Sequence, residues 1–249
     1  MVEHTQALSF GPAAGDYDRF RPPYPLEAVA FAIGFTAPAR VVDLGAGTGI
    51  LSRGVAALGH EVVAVEPDPE MRARLVAGTP GVTALAGSAE AVPLPDGAAD
   101  AVVAGQAYHW FDPDRAHPEI ARLLRPGGSF APIWNLRDES APWVDALSQI
   151  IEGIAGSRGD RAGRPEPEPD FGELFGPAQR AEFAHRVTHD APSLIGLLRT
   201  RSYYLTADVR EQRRLEQQVR ALTEEHPDLA GRESFELPYR TVVHRARRR

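Results

Sequence analysis

Three glycines within five residues, Gly45, Gly47 and Gly49, separate an apolar run from a stretch that predicts a helix. A buried strand, a glycine turn and a helix start are typical of a unit that binds a nucleotide-like ligand. Asp43 lies just before the turn, and Glu66 follows the first glycine by 66 − 45 = 21 residues. This spacing places the Glu66 carboxylate at the end of the next strand, where it can accept hydrogen bonds from ribose hydroxyls.

The turn disfavours a ligand that carries a pyrophosphate. The fingerprint of nicotinamide and flavin cofactors is G-x-G-x-x-G, and Ile50 stands where its third glycine belongs. The carboxylate of Asp43 would also repel a pyrophosphate at the helix N-terminus. A ligand with an ammonium and a sulfonium group suits an acid in this position. We therefore expect a cationic ligand, and a nicotinamide oxidoreductase is the disfavoured alternative.

Composition excludes several kinds of chemistry and of partner. The 249 residues include no Cys, which excludes disulfides, thiolate nucleophiles and cysteine-ligated zinc. They include no Lys either, so all 27 basic residues are Arg and no Schiff base can form. A net charge of -7 argues against a nucleic acid as the main partner. No apolar run approaches the ~20 residues of a membrane span, so we expect a cytoplasmic protein without a membrane partner, either a monomer or a homodimer.

Five apolar runs predict strands, at residues 40–44, 62–65, 82–86, 100–104 and 129–134. The patterns around them predict helices at residues 26–33, 50–58, 67–77 and 113–124. Strands that alternate with helices predict an α/β fold, a Rossmann-like doubly wound sheet that is mostly parallel. Two later segments of β character are expected to pair as an antiparallel hairpin at the sheet edge, residues 180–189 and 235–245.

We expect one domain, residues 1–249, made of three parts. An arm at residues 1–25 cannot be a long helix, because Pro22, Pro23 and Pro25 each lack a backbone donor. A ligand-binding core follows at residues 26–135, and a C-terminal part at residues 136–249. In this last part the patterns predict helices at 142–154, 193–205 and 208–225, a linker at 156–170 and a helical lid at about 191–232.

Several motifs, taken in order, resemble those of class I S-adenosylmethionine-dependent methyltransferases, and they occupy residues 42–49, 65–68, 87–90, 93–95 and 124–128. The arm segment 17–25 and the segment 106–111 resemble the small-molecule branch that includes trans-aconitate methyltransferases. The resemblance covers about residues 10–135. It implies the class I methyltransferase fold and S-adenosyl-L-methionine as the cofactor.

The resemblance also assigns roles to individual residues. Asp43 would orient the turn or the ammonium of the methionine part, Glu66 would bind the ribose, and Met71 would pack on the adenine. The residues implied to contact the cofactor are Tyr17, Arg21, Asp43, Gly45, Ala46, Gly47, Thr48, Glu66, Pro67, Met71, Ser88, Ala89, Glu90, Gly105 and Gln106.

His109 follows the fourth predicted strand and is the candidate catalytic residue, because an imidazole with a pKa of about 6.5 can act as a general base near neutral pH. A base is required only if the acceptor starts protonated, and the alternative that His109 only shapes the pocket stays open. The residues considered for substrate binding are His109, Trp110, Trp134, Asn135, Arg199 and Tyr203. Packing of Trp110 and solvation of Arg199 are the alternatives to these roles.

No metal site is expected, because His117 and the neighbouring acids Asp112, Asp114 and Glu119 are spaced like residues on a helix surface. The resemblance implies a methyltransferase that acts on a small molecule, with an oxygen of a carboxylate or a hydroxyl as acceptor. A cyclase or a regulatory binding protein on the same cofactor-binding fold is the alternative.

Overall fold

The structure, a computed structural model, describes residues 14–36, 38–152 and 169–249. Its strands are β1 (Arg40–Leu44), β2 (Glu61–Val65), β3 (Thr83–Leu85), β4 (Ala99–Gly105), β5 (Leu124–Arg137), β6 (Gln179–His189) and β7 (Phe235–Arg247). They form a seven-stranded sheet in the order β3-β2-β1-β4-β5-β7-β6. Strands β1 to β5 pair in parallel, whereas β7 runs antiparallel to both β5 and β6. The predicted doubly wound sheet with an antiparallel edge hairpin is confirmed.

The α-helices are α1 (Ala14–Phe20), α2 (Leu26–Ile33), α3 (Ile50–Ala57), α4 (Pro69–Gly78), α5 (Pro113–Leu123), α6 (Pro142–Glu152), α7 (Ala191–Arg199), α8 (Ser202–Leu205) and α9 (Val209–Glu225). A short 3-10 helix spans Tyr108–Trp110. Among the described residues, no helix is both long and apolar enough to cross a membrane.

Buried side chains cluster on both faces of the sheet and again under the C-terminal helices. One face packs Phe130 against Phe171 and Phe175, and the other packs Ile33 and Ile133 with the neighbouring strands. A further core joins α6, α7 and α9 to the start of β7. The predicted lid helices therefore have a core of their own, and this core rests on the antiparallel edge of the sheet.

The arm contains a helix that the proline pattern did not reveal. Helix α1 ends at Phe20, just before the prolines, and the ring of Phe20 lies against α7 at Gly196. A Cβ added to Gly196 would lie 2.5 Å from this ring, so the close approach requires a residue without a side chain. The arm therefore packs directly on the C-terminal helices.

The structure corrects two of the predicted helices. Helix α4 begins at Pro69 and not at residue 67, because the side chain of Asp68 caps it by accepting the amides of Glu70 and Met71. The helix predicted at 193–205 is broken between α7 and α8. Thr200 ends α7, and its carbonyl oxygen accepts a hydrogen bond from the Arg21 side chain at 2.7 Å.

His117 is not a helix surface residue, which corrects the sequence interpretation. It is buried on the inner face of α5, and its Nε2 lies 2.9 Å from the hydroxyl of Tyr108. The predicted linker at residues 156–170 falls almost wholly outside the described residues, as does the end of the helix predicted at 142–154.

Candidate functional site

The glycine turn joins the C-terminal end of β1 to α3. Gly45, Gly47 and Gly49 all have positive φ, at 64°, 56° and 85°, a conformation that other residues rarely adopt. The amides of Gly45 and Ala46 donate to the carbonyl of Val65, so the turn is fixed to the end of β2. A Cβ on Gly45 would lie 2.7 Å from the Cβ of Ala107, which brings the turn close to the end of β4.

Asp43 is fully buried at the end of β1, behind this turn. Its Oδ2 accepts a hydrogen bond from the Ser52 hydroxyl at 2.6 Å. Its Oδ1 has no hydrogen-bond partner among the described residues. Burial raises the pKa of Asp43 to about 7, the Ser52 hydroxyl opposes the rise, and the nearby Glu66 adds to it. The free carboxylate oxygen can therefore accept a hydrogen bond from a cationic donor.

Glu66 lies at the end of β2, and both of its carboxylate oxygens accept backbone hydrogen bonds. Oε2 accepts from the amide of Gly47 at 2.8 Å, and Oε1 accepts from the amide of Asp68 at 2.9 Å. Burial raises the pKa of Glu66, and the two amides oppose this rise. Each oxygen keeps a second lone pair, so the carboxylate can still accept two hydroxyl donors.

The arm is attached to the glycine turn through Arg53 of α3. One guanidinium nitrogen pairs with Asp18 at 2.6 Å, and the other donates to the carbonyl of Thr48 at 3.0 Å. Arg21 stacks over the ring of Tyr17, with 4.6 Å between the guanidinium carbon and the ring centroid. The structure thus places Tyr17 and Arg21 on the arm segment next to the turn. Sequence reasoning missed Asp18 and Arg53, because an acid and a base 35 residues apart give no local signal.

Tyr24 is a third residue near the site that sequence reasoning missed. A Cβ on Gly105, at the end of β4, would lie 2.7 Å from the Tyr24 hydroxyl. Burial raises the pKa of Tyr24 well above its usual range, Tyr17 and Asp43 add to the rise, and Arg21 opposes it. The phenol therefore lies among Gly105, Asp43 and the arm residues, over the ends of the two central strands.

Gln106 and Asn135 fix the arm to these strand ends. Gln106 has a positive φ of 55°, and its side-chain amide donates to the carbonyl of Asn135 at 3.0 Å. The Asn135 side chain donates to the carbonyls of Pro22 and Pro23 and accepts from the Thr241 hydroxyl at 2.6 Å. Asn135 is buried and has a complete set of partners. It positions the arm and does not face the pocket mouth, which corrects the sequence interpretation.

The residues assigned to the adenine lie on the side of the turn formed by α4 and the loop after β3. Met71 and Ala89 are buried, whereas Pro67 is exposed. Ser88 forms an isolated bridge with Ala91. Glu90 accepts the amide of Asp112 at 3.0 Å. Burial acts to raise the pKa of Glu90, but this amide and the Ser88 hydroxyl outweigh it and lower the pKa.

The 3-10 helix turns His109 and Tyr108 in opposite directions. His109 is exposed, and its ring lies 4.8 Å from the ring of Trp110. Tyr108 points inward, against His117 and Phe130. Trp134 is also buried and meets Tyr108 edge to face, so it packs inside the protein. The prediction that Trp134 faces the pocket mouth is therefore wrong.

Arg199 and Tyr203 do not come together with the other predicted substrate residues. Arg199 forms an ion pair with Glu216 of α9 at 2.8 Å, and the same carboxylate oxygen accepts the Tyr204 hydroxyl at 2.6 Å. Tyr203 is half-buried against the core of the C-terminal helices. The Arg199 guanidinium thus joins α7 to α9, which corrects its assignment to the substrate.

The described residues contain no group of His, Asp and Glu side chains that could hold a metal ion. The site brings together the free carboxylate oxygen of Asp43 and the carboxylate of Glu66, which can accept hydroxyl donors. Aromatic and arginine side chains of the arm cover them. Such a site can bind a ligand with a cationic amine and a ribose.

The sequence and the fold are both similar to those of known methyltransferases. Residues 42–131 match a family model described as a methyltransferase domain. An uncharacterized methyltransferase of Mycobacterium tuberculosis is 44% identical over 242 residues, 96% of this chain and 96% of that protein. A malonyl-[acyl-carrier protein] O-methyltransferase of Methylococcus capsulatus is 37% identical over 107 residues, 38% of this chain and 36% of that protein. A solved structure of a candidate type II methyltransferase from Anaeromyxobacter dehalogenans has a TM-score of 0.62 and 27% identity, and the match covers 92% of this chain and 97% of that one.

Proposed function

The chain belongs to the class I S-adenosylmethionine-dependent methyltransferases, and from this premise we propose that it transfers a methyl group to an oxygen of a small molecule. A carboxylate is the proposed acceptor, and a hydroxyl is the alternative. Hydrolysis of the labelled product, described below, distinguishes the two. The narrower resemblance to trans-aconitate methyltransferases stays a prediction.

The free oxygen of buried Asp43 is the observation that supports cofactor binding most directly. A buried acceptor without a partner costs free energy, and the ammonium of the methionine part of the cofactor would supply the missing donor, directly or through water. The positive φ values of Gly45, Gly47 and Gly49 give a turn without Cβ atoms on its outer side, along which the methionine part would lie. The residues present therefore fit the group that the family uses.

The remaining proposed contacts follow from the same arrangement. Glu66 would accept the ribose hydroxyls, while Met71 and Ala89 would pack on the adenine. Ala46, Thr48, Pro67, Ser88, Glu90, Gly105 and Gln106 complete the proposed set around the turn and the strand ends. Tyr17 and Arg21, attached to the turn through the arm, would cover the carboxylate of the methionine part.

When bound, S-adenosyl-L-methionine supplies an electrophilic methyl carbon, to which the acceptor oxygen bonds as the carbon–sulfur bond breaks and its electron pair remains on sulfur. The protein has to align the acceptor and exclude water, and such alignment can lower a barrier by roughly 7 to 11 kcal/mol in favourable cases. A carboxylate acceptor has no proton to lose. A hydroxyl acceptor would have to give its proton to a base, and we propose His109 for that step, with Trp110 beside it as part of the substrate wall.

Oxygen as the acceptor has support from one relative. The Methylococcus capsulatus protein is, by its name, an O-methyltransferase of malonyl-acyl-carrier protein, and it matches this chain over a region that includes about a third of each. The absence of Lys and Cys from this chain is compatible with an oxygen transfer, because neither positioning nor proton removal at oxygen requires those side chains.

Transfer of a labelled methyl group tests the proposed function. The protein is incubated with S-adenosyl-L-methionine tritiated on the methyl group, together with separate small-molecule and macromolecular fractions of a bacterial lysate. We expect label in the small-molecule fraction and an equal amount of S-adenosylhomocysteine. Strong base should release the label as methanol, because methyl esters hydrolyse under conditions in which methyl ethers are stable.

Three results would contradict parts of the proposal. Label confined to the macromolecular fraction would exclude a small molecule as the substrate. Label that is stable to strong base would show that the acceptor is a hydroxyl or another group and not a carboxylate. Unconsumed cofactor, bound but not cleaved, would favour a cyclase or a regulatory protein. Glu66→Gln serves as the control, because it should lower labelling in parallel with cofactor affinity.

A further inference from the structure

Tyr239 of β7 has a buried hydroxyl with no hydrogen-bond partner among the described residues. Its side chain belongs to the core under the C-terminal helices, and the residue is 1% exposed. The ring stacks on His185 at 5.3 Å between centroids, so the phenol is held in one orientation. Buried polar groups without partners are rare in folded proteins, and each points to a ligand, a water or a strained contact.

Three arginines act electrostatically on this phenol, and one of them, Arg137, lies directly opposite Tyr239 in the pairing of β5 with β7. Burial raises the pKa of Tyr239, while Arg201, Arg137 and Arg21 oppose the rise. Among the described residues, the charged side chains that affect the pKa of Tyr239 are therefore all arginines. Positive charges near a hydroxyl that has no partner favour an anion as the ligand of that hydroxyl.

Arg137 is the clearest member of this group. It lies at the end of β5 and is 4% exposed, although arginine is rarely buried without a charged partner. Its Nε donates to the Ser148 hydroxyl at 3.1 Å, and within the described residues it forms no ion pair with a carboxylate. A buried guanidinium with spare donors suits a planar anion, which can accept two parallel hydrogen bonds from it.

Arg201 and Arg21 lie next to each other through Thr200. Arg201 is 3% exposed and precedes α8, directly after the residue whose carbonyl and hydroxyl oxygens accept hydrogen bonds from Arg21. The break between α7 and α8 thus brings Arg201 inward toward β7. Arg201 itself has an extended backbone, which a continuous helix over 193–205, as the sequence predicts, would not give it.

The arginine group adjoins the proposed cofactor site. Arg21 acts electrostatically on Tyr24 as well as on Tyr239, so its guanidinium is near both phenols. Tyr24 in turn lies over Gly105 and close to Asp43. A molecule bound beside Tyr239 could therefore extend past Arg21 to the ends of β1 and β4, where the methyl donor would lie.

We propose that Arg137, Arg201 and the Tyr239 hydroxyl bind a carboxylate of the acceptor molecule, so that the substrate is an organic acid. This inference rests on the proposed function for the identity of the molecule as a methyl acceptor. The carboxylate bound here serves as an anchor, because two guanidinium groups reduce its reactivity as a nucleophile. The oxygen that receives the methyl group is a second one, nearer to Tyr24, and a dicarboxylate is the simplest molecule that has both.

Calorimetric titration with succinate tests the inference, with and without saturating S-adenosylhomocysteine. We expect wild type to bind succinate and not its uncharged diamide. Tyr239→Phe removes only a hydroxyl that has no partner in the structure, so its melting temperature should stay the same while succinate affinity falls about fivefold or more. Arg137→Gln should lower the affinity further, by about thirtyfold or more. Arg199→Gln is the matched control, since that arginine pairs with Glu216 and is not among the arginines that act on Tyr239, so its succinate affinity should equal that of wild type.

Equal succinate affinity in wild type, Tyr239→Phe and Arg137→Gln would overturn the inference, as would no binding to wild type. Binding of inorganic phosphate in place of succinate would overturn the assignment to a carboxylate. Failure of S-adenosylhomocysteine to bind would contradict the proposed function instead. The titrations without that ligand would then still decide whether Tyr239 and Arg137 bind a carboxylate.

Discussion

Ser52 donates its hydroxyl to Oδ2 of Asp43 at 2.6 Å, and Oδ1 of the same buried carboxylate has no hydrogen-bond partner among the described residues. Burial raises the pKa of Asp43 to about 7, so near neutral pH the group is poised between its two protonation states. A cationic ligand would shift it to the charged form. The protein thus keeps at its centre a group whose charge depends on what is bound beside it.

Replacing Asp43 by Asn should make the ligand-free protein more stable at neutral pH than wild type. The folded-state pKa of about 7 lies above the ordinary aspartate value of 3.8, so between those pH values the folded state binds a proton that the unfolded state does not. Wild-type stability therefore falls as pH rises through this window, by up to about 4 kcal/mol, and the Asn side chain avoids this loss. Urea denaturation from pH 4.5 to pH 8 measures the difference, which should be small at the acidic end and largest at the alkaline end.

Ser52→Ala is the companion variant to Asp43→Asn. The Ser52 hydroxyl lowers the pKa of Asp43, so its removal should extend the pH window of falling stability upward. Asp43→Asn should also bind S-adenosylhomocysteine at least about tenfold more weakly at pH 8, because it loses a charge-assisted hydrogen bond. Unchanged affinity together with an unchanged pH profile would show that Asp43 neither titrates in this range nor contacts the ligand.

Asp18→Asn should loosen the arm without unfolding the protein. The pair formed by Asp18 and Arg53 is partly exposed, with side chains 21% and 35% accessible, so its loss should cost less than about 1 kcal/mol in global stability. Hydrogen exchange of the α1 amides should nevertheless become severalfold faster, because this pair connects α1 to the glycine turn. Glu61→Gln, which breaks a comparable pair with Arg40 far from the arm, should leave α1 exchange unchanged. Equal exchange in both variants would show that the arm is fixed by other contacts.

His109→Asn should reduce turnover by less than about tenfold if the acceptor is a carboxylate, because a carboxylate has no proton for a base to remove. The measurement is the pH dependence of turnover with the acceptor found by methyl labelling. Wild type and variant should then show parallel profiles. A loss of about 100-fold or more, with the wild-type profile rising near pH 6.5 and the variant profile flat, would identify His109 as a base that acts on a hydroxyl.

His117→Gln should make the protein less sensitive to acid. Burial lowers the pKa of His117, with Asp170 and Asp114 opposing, so the unfolded state binds more protons below about pH 6.5. The contribution of His117 to the free energy of unfolding is therefore fully present above that pH and decreases as pH falls. This pH dependence is opposite in sign to that of Asp43. Melting temperatures at pH 5 and pH 7 should differ less in His117→Gln than in wild type. The same difference in both proteins would mean that His117 does not contribute.

Local patterns predict the glycine turn, the places of Asp43 and Glu66 beside it, and the alternation of strands and helices along the chain. These features lie within a single strand-turn-helix-strand unit, where spacing along the chain determines position in space. The break between α7 and α8 could not be predicted, because the group that bonds to the Thr200 carbonyl is Arg21, 179 residues away in the chain. The same reason hides the arginines around Tyr239, which come from the arm, from β5 and from the segment before α8. Residue type alone suggests Arg199 as a substrate ligand, and only the fold shows that Glu216 pairs with it.

Titration of S-adenosylhomocysteine into wild type and Glu66→Gln tests most directly whether the turn, Asp43 and Glu66 bind the methyl donor. Glu66 offers both oxygens to ribose hydroxyls, and each charge-assisted bond contributes roughly 1.5 to 3 kcal/mol. We predict one binding site per wild-type chain and an affinity at least about tenfold weaker in Glu66→Gln. The ligand-free variant should melt at a lower temperature than wild type, because its side-chain NH2 replaces an oxygen that accepts a backbone amide, so both affinities are measured at a temperature at which the variant is folded. No binding to wild type, or equal affinity in the two proteins, would contradict the account.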